Sequence, residues 1–167
     1  EKCRLMRNHG MAEQYLHHTI GGNFRMDALQ AAALRIKLRA MEDVTETRRQ
    51  NAVNYRQLFA EANLLEWAEL PTDTDRHAYH QFVLHVPKDA RDGAIAHLRQ
   101  QGIGCAVYYP VPFHRQPCFS YLKCDGKDFP VSEEASQRAL ALPIFQGLTE
   151  AEQIDVVGAL SRFVKGL

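Results

Sequence analysis

HAYHQFVLHVPKDARDGAIAHLRQQGIGCAVYYP, residues 77–110, decides the fold. Its first third alternates, with Phe82, Leu84 and Val86 on one face, which is the period of a half-buried strand. Pro87 ends that run, and Asp89 stands where a helix cap is expected. Ala94, Ile95 and Leu98 then recur at helical spacing up to Gln101, and Gly102 supplies a stop. GIGCAVYYP (102–110) reads as a second strand, closed by Pro110. Strand, helix and strand in this order predict a small α/β unit.

Working outward, PVPFHRQPCFSYL (110–122) is broken by prolines and has room for one short helix near its end. Ser132–Leu140 is predicted helical, stopped by Pro143. Thr149 and Glu152 form a capping box for a last helix with Ile154, Val157, Leu160, Val164 and Leu167 inward. Upstream, EKCRLMRNHG (1–10) reads as the end of a helix, with Arg4 and Arg7 at its C-terminus and Gly10 just beyond it. Asp27 caps the next helix, with Gln30 at the capping-box position. That helix carries two apolar stripes, Leu29, Ala33, Ile36, Ala40 and Leu34, Leu38, Met41, so it is expected to be covered on two sides. Another helix runs over 45–62, with Tyr55, Leu58, Phe59 and Ala62 inward. The division expected is 1–75 for the leading helices and 76–167 for the small α/β domain.

Lys plus Arg equals Asp plus Glu at 20 each, so the net charge is zero. That argues against nucleic acid or an anionic membrane surface as partner. No apolar run approaches a membrane span and no signal-peptide pattern opens the chain, so the cytoplasm is the default expectation. Cys3, Cys105, Cys118 and Cys124 lack C-x-x-C spacing and are expected as buried or part-buried free thiols. His77 and His80 lack the setting of a metal motif; on a strand they would face opposite sides. His80 and His85 are expected as half-buried structural histidines, and no metal site is expected.

Two stretches could meet a ligand. In GGNFRMDALQAA (21–32), Gly21 and Gly22 read either as an ordinary turn before a capped helix or as backbone made to approach a ligand. In the second case Asn23 donates to phosphate oxygens and Arg25 holds another anionic or hydroxylated group. In YYPVPFHRQP (108–117), stiff prolines hold Tyr108, Tyr109 and His114, whose faces and polar tips suit a sugar or nucleotide ring. The alternative is a stiff surface loop with one tyrosine packed inward. No nucleophile with its base stands out, and none of the lysines sits in an apolar context suited to amine chemistry.

Together LMRNHG (5–10), HTIGGNFRMDALQAAALRIKL (18–38), HAYHQFVLHV with the following RD (77–92), QGIGCAVYYPVPFHRQPCF (101–119) and FPVSEEASQRALALPIF (129–145) resemble the C-terminal part of a DegT/StrS-type aminotransferase. These are fold-type-I, pyridoxal-phosphate enzymes that aminate nucleotide-linked keto sugars. The resemblance implies connector helices from a large domain followed by a small C-terminal α/β domain with a short sheet. It implies a homodimer with shared active sites, and glutamate as amino donor. By position, Asn23 resembles the asparagine that reaches the cofactor phosphate of the neighbouring subunit. Arg25, Tyr109 and His114 resemble residues on the substrate side. The Schiff-base lysine of the family lies upstream of the segment like LMRNHG, so this chain is expected to lack it and to be inactive alone. The alternative is a stand-alone sugar-nucleotide-binding or regulatory module.

Overall fold

The computed structural model describes residues 1–74 and 76–167 as two compact units, Glu1–Glu42 and Asp43–Leu167. The first unit contains α1 (Lys2–Arg7), a ribbon of β1 (Met11–Glu13) and β2 (Leu16–His17), and α2 (Ala28–Arg39). β1 and β2 are antiparallel, with Met11 opposite His17. Past Arg7 the caps differ slightly from expectation. Asn8 is the C-cap, and both His9 (φ 57°) and Gly10 (φ 72°) are left-handed. Asp27 accepts from the Leu29 N–H at 2.8 Å, which is a plain Asp cap; among the described residues Gln30 adds no return bond.

Within this chain α2 is not covered on either side, unlike the expectation. None of its residues is buried; Leu29 is 83% and Ile36 70% exposed. An apolar stripe specifies only that a partner surface is wanted, not that this stretch of chain supplies it.

In the second unit, α3 (Met41–Glu61) contributes Tyr55 and Phe59 to the core as expected. Its first two residues belong to the first unit. β3 is limited to Phe82–His85, and Phe82, Leu84 and Val86 are fully buried as the alternation predicts. The strand begins after His77 and His80, so neither is placed by a pleat. His80 is exposed, and His77 Nδ1 accepts from the Tyr79 N–H at 2.9 Å. α4 is Lys88–Gln100, with Pro87 at the N-cap position and no side-chain cap bond; Asp89 lies in the first turn, where its charge suits the helix dipole. Gly102 stops it with φ 75°.

The second strand comes from a different segment. Residues 102–110 make one bridge, Ala106 to Ala141, instead of a strand. The partner of β3 is β4, Ala139–Leu142, antiparallel with Phe82 opposite Leu142 and Leu84 opposite Leu140. α5 therefore covers Pro130–Arg138, and the helix expected to reach Leu140 ends two residues earlier. All four residues of β4 are buried, so the ALAL run has no alternation to reveal a strand.

The final helix, α6 (Glu150–Lys165), has the expected capping box between Thr149 and Glu152. Its buried face is shifted from the expected stripe. Gln153, Val156, Val157, Ala159 and Leu160 are buried, while Ile154 is 50% exposed and Leu167 is exposed. A polar residue thus takes a core place, because Gln153 Nε2 donates to the Asn51 carbonyl at 2.8 Å. Asn51 Nδ2 donates to Phe145 O at 2.9 Å, and the Tyr55 hydroxyl donates to Pro143 O at 2.9 Å. The last two bonds satisfy carbonyls after β4, where the sheet ladder has ended.

All four cysteines are free thiols; Cys105 and Cys124 are part-buried, but Cys3 and Cys118 are exposed, against expectation. His85 is half-buried as expected, 3.9 Å from Glu69. No helix among the described residues is long and apolar enough to cross a membrane.

Candidate functional site

In the first unit, the glycine segment runs back along the end of α1. Gly22 N–H donates to Met6 O, His9 N–H to Gly22 O and Phe24 N–H to Arg7 O, each at 2.9 Å. A Cβ on Gly21 would stand 2.5 Å from Gly10 N and 2.6 Å from Met6 O. Gly21 is therefore needed by the chain's own backbone, which gives it a structural reason independent of any ligand. Beyond it, Asn23 and Arg25 are both exposed, and Arg25 Nε donates to Asn23 Oδ1 at 2.9 Å. That bond occupies the amide's acceptor and turns the pair into a donor set: the Asn23 NH₂ and the rest of the guanidinium.

In the second unit, the tyrosine–proline loop and α5 enclose a cavity of about 580 Å³. Its lining includes Tyr108, Tyr109, Pro110 and Phe113 of the loop, Ser132 and Ser136 of α5 and His85 of β3. Tyr109 is 68% exposed, and the two tyrosine rings meet edge to face with centroids 5.6 Å apart. Both phenols are thus on the cavity rather than in the core, while Val107 and Cys105 pack inward. Burial pushes the Cys105 thiol up, away from thiolate chemistry.

His114 does not line this cavity. It lies on a smaller one of about 360 Å³ with Phe113, Phe119 and Phe129. Its side chain is 8% exposed, and Nε2 is 2.7 Å from Glu133 Oε1. Arg115 Nε donates to the same oxygen at 2.6 Å. Arg115 first, and His114 second, hold the Glu133 carboxyl below the usual carboxylate range. The two short 3₁₀ helices at Phe113–Arg115 and Pro117–Leu122 put these groups against the first turn of α5.

The four residues singled out from sequence therefore fall into three places: Asn23 and Arg25 together, Tyr109 on the larger cavity, and His114 on the smaller. Sequence reasoning missed Ser132, Ser136 and Glu133. Glu133 reads as an ordinary acid at a helix N-terminus, and only its distance to His114 distinguishes it. No group of three or more potential metal ligands is gathered among the described residues.

The model of the DegT/DnrJ/EryC1/StrS aminotransferase family matches residues 1–161, and the chain belongs to that family. Pyridoxal phosphate is the cofactor of its aminotransferases. A pleiotropic regulatory protein of Geobacillus stearothermophilus is 40% identical over 167 residues, covering 99% of this chain and 44% of that protein. A dTDP-3-amino-3,6-dideoxy-alpha-D-galactopyranose transaminase of Aneurinibacillus thermoaerophilus is 33% identical, over 98% of this chain and 43% of its own length. The crystal structure of DesV from S. venezuelae, in complex with a ketimine intermediate, superposes with a TM-score of 0.88 at 29% identity. It matches 98% of this chain and 43% of its own. The chain thus spans less than half the length of the proteins it matches, and its mixed α/β fold with short sheets is the fold of that portion.

Proposed function

We propose that this chain is part of a pyridoxal-phosphate aminotransferase that transfers an amino group, with glutamate as donor, to a nucleotide-linked keto sugar. The observation that carries the reading is the family match over residues 1–161, which takes in both the Asn23 turn and the tyrosine-lined cavity. Within the parent, residues 1–75 hold the end of the large domain and the connecting helices, of which α3 docks onto the small domain of 76–167. The residues fit one part of the cofactor's needs. The Asn23–Arg25 donor pair suits a phosphate and an adjacent anionic or hydroxylated group. None of the six lysines of this chain is read as the covalent anchor.

When bound, the cofactor supplies the electron sink for amino transfer. Asn23 donates to its phosphate from the neighbouring subunit, and Arg25 faces the substrate. Tyr109 offers a ring face and hydroxyl to the sugar nucleotide, and His114 a ring nitrogen. The parent works in the cytoplasm as a homodimer; the bare apolar residues of α2 support a covered surface there. The chain alone does not catalyse. Borohydride reduction with one equivalent of pyridoxal phosphate should leave no single stoichiometric lysine adduct by intact mass; such an adduct at one lysine would defeat that statement.

A second reading, a stand-alone sugar-nucleotide-binding or regulatory module, draws on the regulatory name of the Geobacillus relative. The gene separates the two: a lysine-bearing half in the same frame supports the first, a start codon near Glu1 the second.

A further inference from the structure

We propose that the tyrosine-lined cavity takes an uncharged sugar ring and rejects one that bears a carboxylate, so that the keto sugar is a neutral hexose derivative and not a uronate. The inference rests on the sugar-nucleotide reading above and narrows its substrate class. Among the described residues no lysine, arginine, aspartate or glutamate lines this cavity of about 580 Å³. Its polar groups are neutral ones that can both give and take a hydrogen bond. The hydroxyls of Tyr108, Tyr109 and Ser132 have no partner among the described residues. Ser136 Oγ donates to Glu133 O at 2.8 Å, which leaves its own oxygen free to accept. Gln116 Nε2 donates to Val111 O at 3.3 Å, which leaves its amide oxygen. Such a set complements sugar hydroxyls, each of which also donates and accepts.

The segments that build the walls do carry charges, and the structure pairs those charges with one another. From the loop, Arg115 Nε and His114 Nε2 lie 2.6 and 2.7 Å from Glu133 Oε1. On α5, Arg138 lies 2.8 Å from Glu134 and 3.5 Å from Glu69. Arg91 of α4, which donates to the Ser136 carbonyl at 3.3 Å, lies 2.6 Å from Asp92. That leaves His85, the one lining residue able to carry a charge near neutral pH. Its Nδ1 is 3.9 Å from Glu69 Oε2, the carboxylate oxygen that Arg138 also approaches. Arg25 belongs to the first unit and is not a lining residue. A sugar carboxylate set against this wall therefore loses water and gains no unpaired arginine or lysine in return. An uncompensated charge costs far more to desolvate than a hydroxyl that finds partners. A hydroxymethyl group at the same place meets the serine and tyrosine hydroxyls instead.

The test uses the whole chain at pH 8 and two pairs of probes that differ only by a hydroxymethyl group against a carboxylate. These are methyl glucoside with methyl glucuronide, and UDP-glucose with UDP-glucuronate. The amide resonances of Tyr109, Ser132 and Ser136 read occupation of the cavity. The neutral member of each pair should shift them, and the acid should bind more weakly, on the order of tenfold, in a cavity still open to water. Ser132→Arg, at an exposed position of α5, brings a cation to the wall and should narrow that gap, with far-UV circular dichroism checking that it remains folded. The inference is overturned if the acids bind as tightly as their neutral partners, if the gap is as wide in folded Ser132→Arg, or if no probe shifts these amides. It is also overturned if UDP alone shifts them as strongly as UDP-glucose, which puts the base in the cavity. If the methyl glycosides separate as expected while neither UDP-sugar binds, the selectivity stands and the sugar-nucleotide reading falls. If UDP-glucose and UDP-glucuronate bind there equally, the inference falls and that reading stands.

Discussion

Replacing Tyr55 by Phe removes one atom from the centre of the second unit, and its effect can be worked from the structure. The ring is fully buried, stacked on Phe82 at 5.1 Å, and its hydroxyl donates to Pro143 O at 2.9 Å. The packing survives the change, so the cost is a lost hydrogen bond and a carbonyl left without its donor. That is about 1–2 kcal/mol. For a protein of this size it lowers the melting temperature by roughly 3–6 °C. Trp67 is the only tryptophan, and it sits edge to face with Phe163 at 6.2 Å in the same core. Its fluorescence during urea unfolding therefore reports on this unit. A second arm uses pH. Burial, and then the nearby Glu152, raise the Tyr55 phenol well above the usual tyrosine range. The folded state keeps its proton where the unfolded chain has lost it, so the stabilisation is complete below about pH 10 and lost as pH rises beyond that. Tyr55→Phe should lose less stability than wild type over that alkaline range. A variant within 1 °C of wild type (about a quarter of a typical hydrogen bond's effect) would refute the bond, and parallel alkaline losses would refute the linkage.

Thr149→Ala removes the side-chain half of the capping box of α6, in which Thr149 Oγ1 accepts from the Glu152 N–H, and should cost about 1 kcal/mol in urea unfolding, while the backbone N–H of residue 149 still donates to Glu152 and keeps its carboxyl low. Gly21→Ala places a methyl against Gly10 N and Met6 O, so the amide resonances of residues 5–24 should shift or broaden while those of the second unit stay in place. Glu133 is held low in the folded state, so its contribution is present above about pH 4.3 and lost as pH falls through the folded value. Amide resonances of residues 113–116 should accordingly move at a lower pH than those near the exposed, unpaired acids, and Arg115→Ala should bring that transition closer to the ordinary one.

The helices were legible because their signals are local: the Asp27 cap, the Thr149–Glu152 box and the period of Tyr55 and Phe59 each lie within one or two turns. β3 was legible from its alternation. β4 was not, because a strand buried on both faces reads as a plain apolar run, and ALAL directly follows a helix. The segment 102–110 has strand-like residues but keeps only the Ala106–Ala141 bridge, since β4 takes the place beside β3. The α6 register slipped because Gln153 is paid for by the Asn51 carbonyl 102 residues away, a partner no local pattern announces. The same limit governs the site. Tyr109 and His114 were visible as unusual residues in a proline-stiffened loop, but their separation onto two cavities depends on where α5 lies. Glu133 acquires meaning only when that helix brings it to His114.

The central claim is that this chain supplies a phosphate contact and a sugar-pocket wall to a sugar aminotransferase. The most direct test assays the intact parent with pyridoxal phosphate, glutamate and dTDP- or UDP-linked keto sugars, reading the amino-sugar nucleotide by mass spectrometry. The account predicts product that depends on glutamate, with Asn23→Ala weakening cofactor retention and Tyr109→Ala impairing sugar-nucleotide binding. Absence of any amino sugar from a parent that folds and binds the cofactor would contradict it.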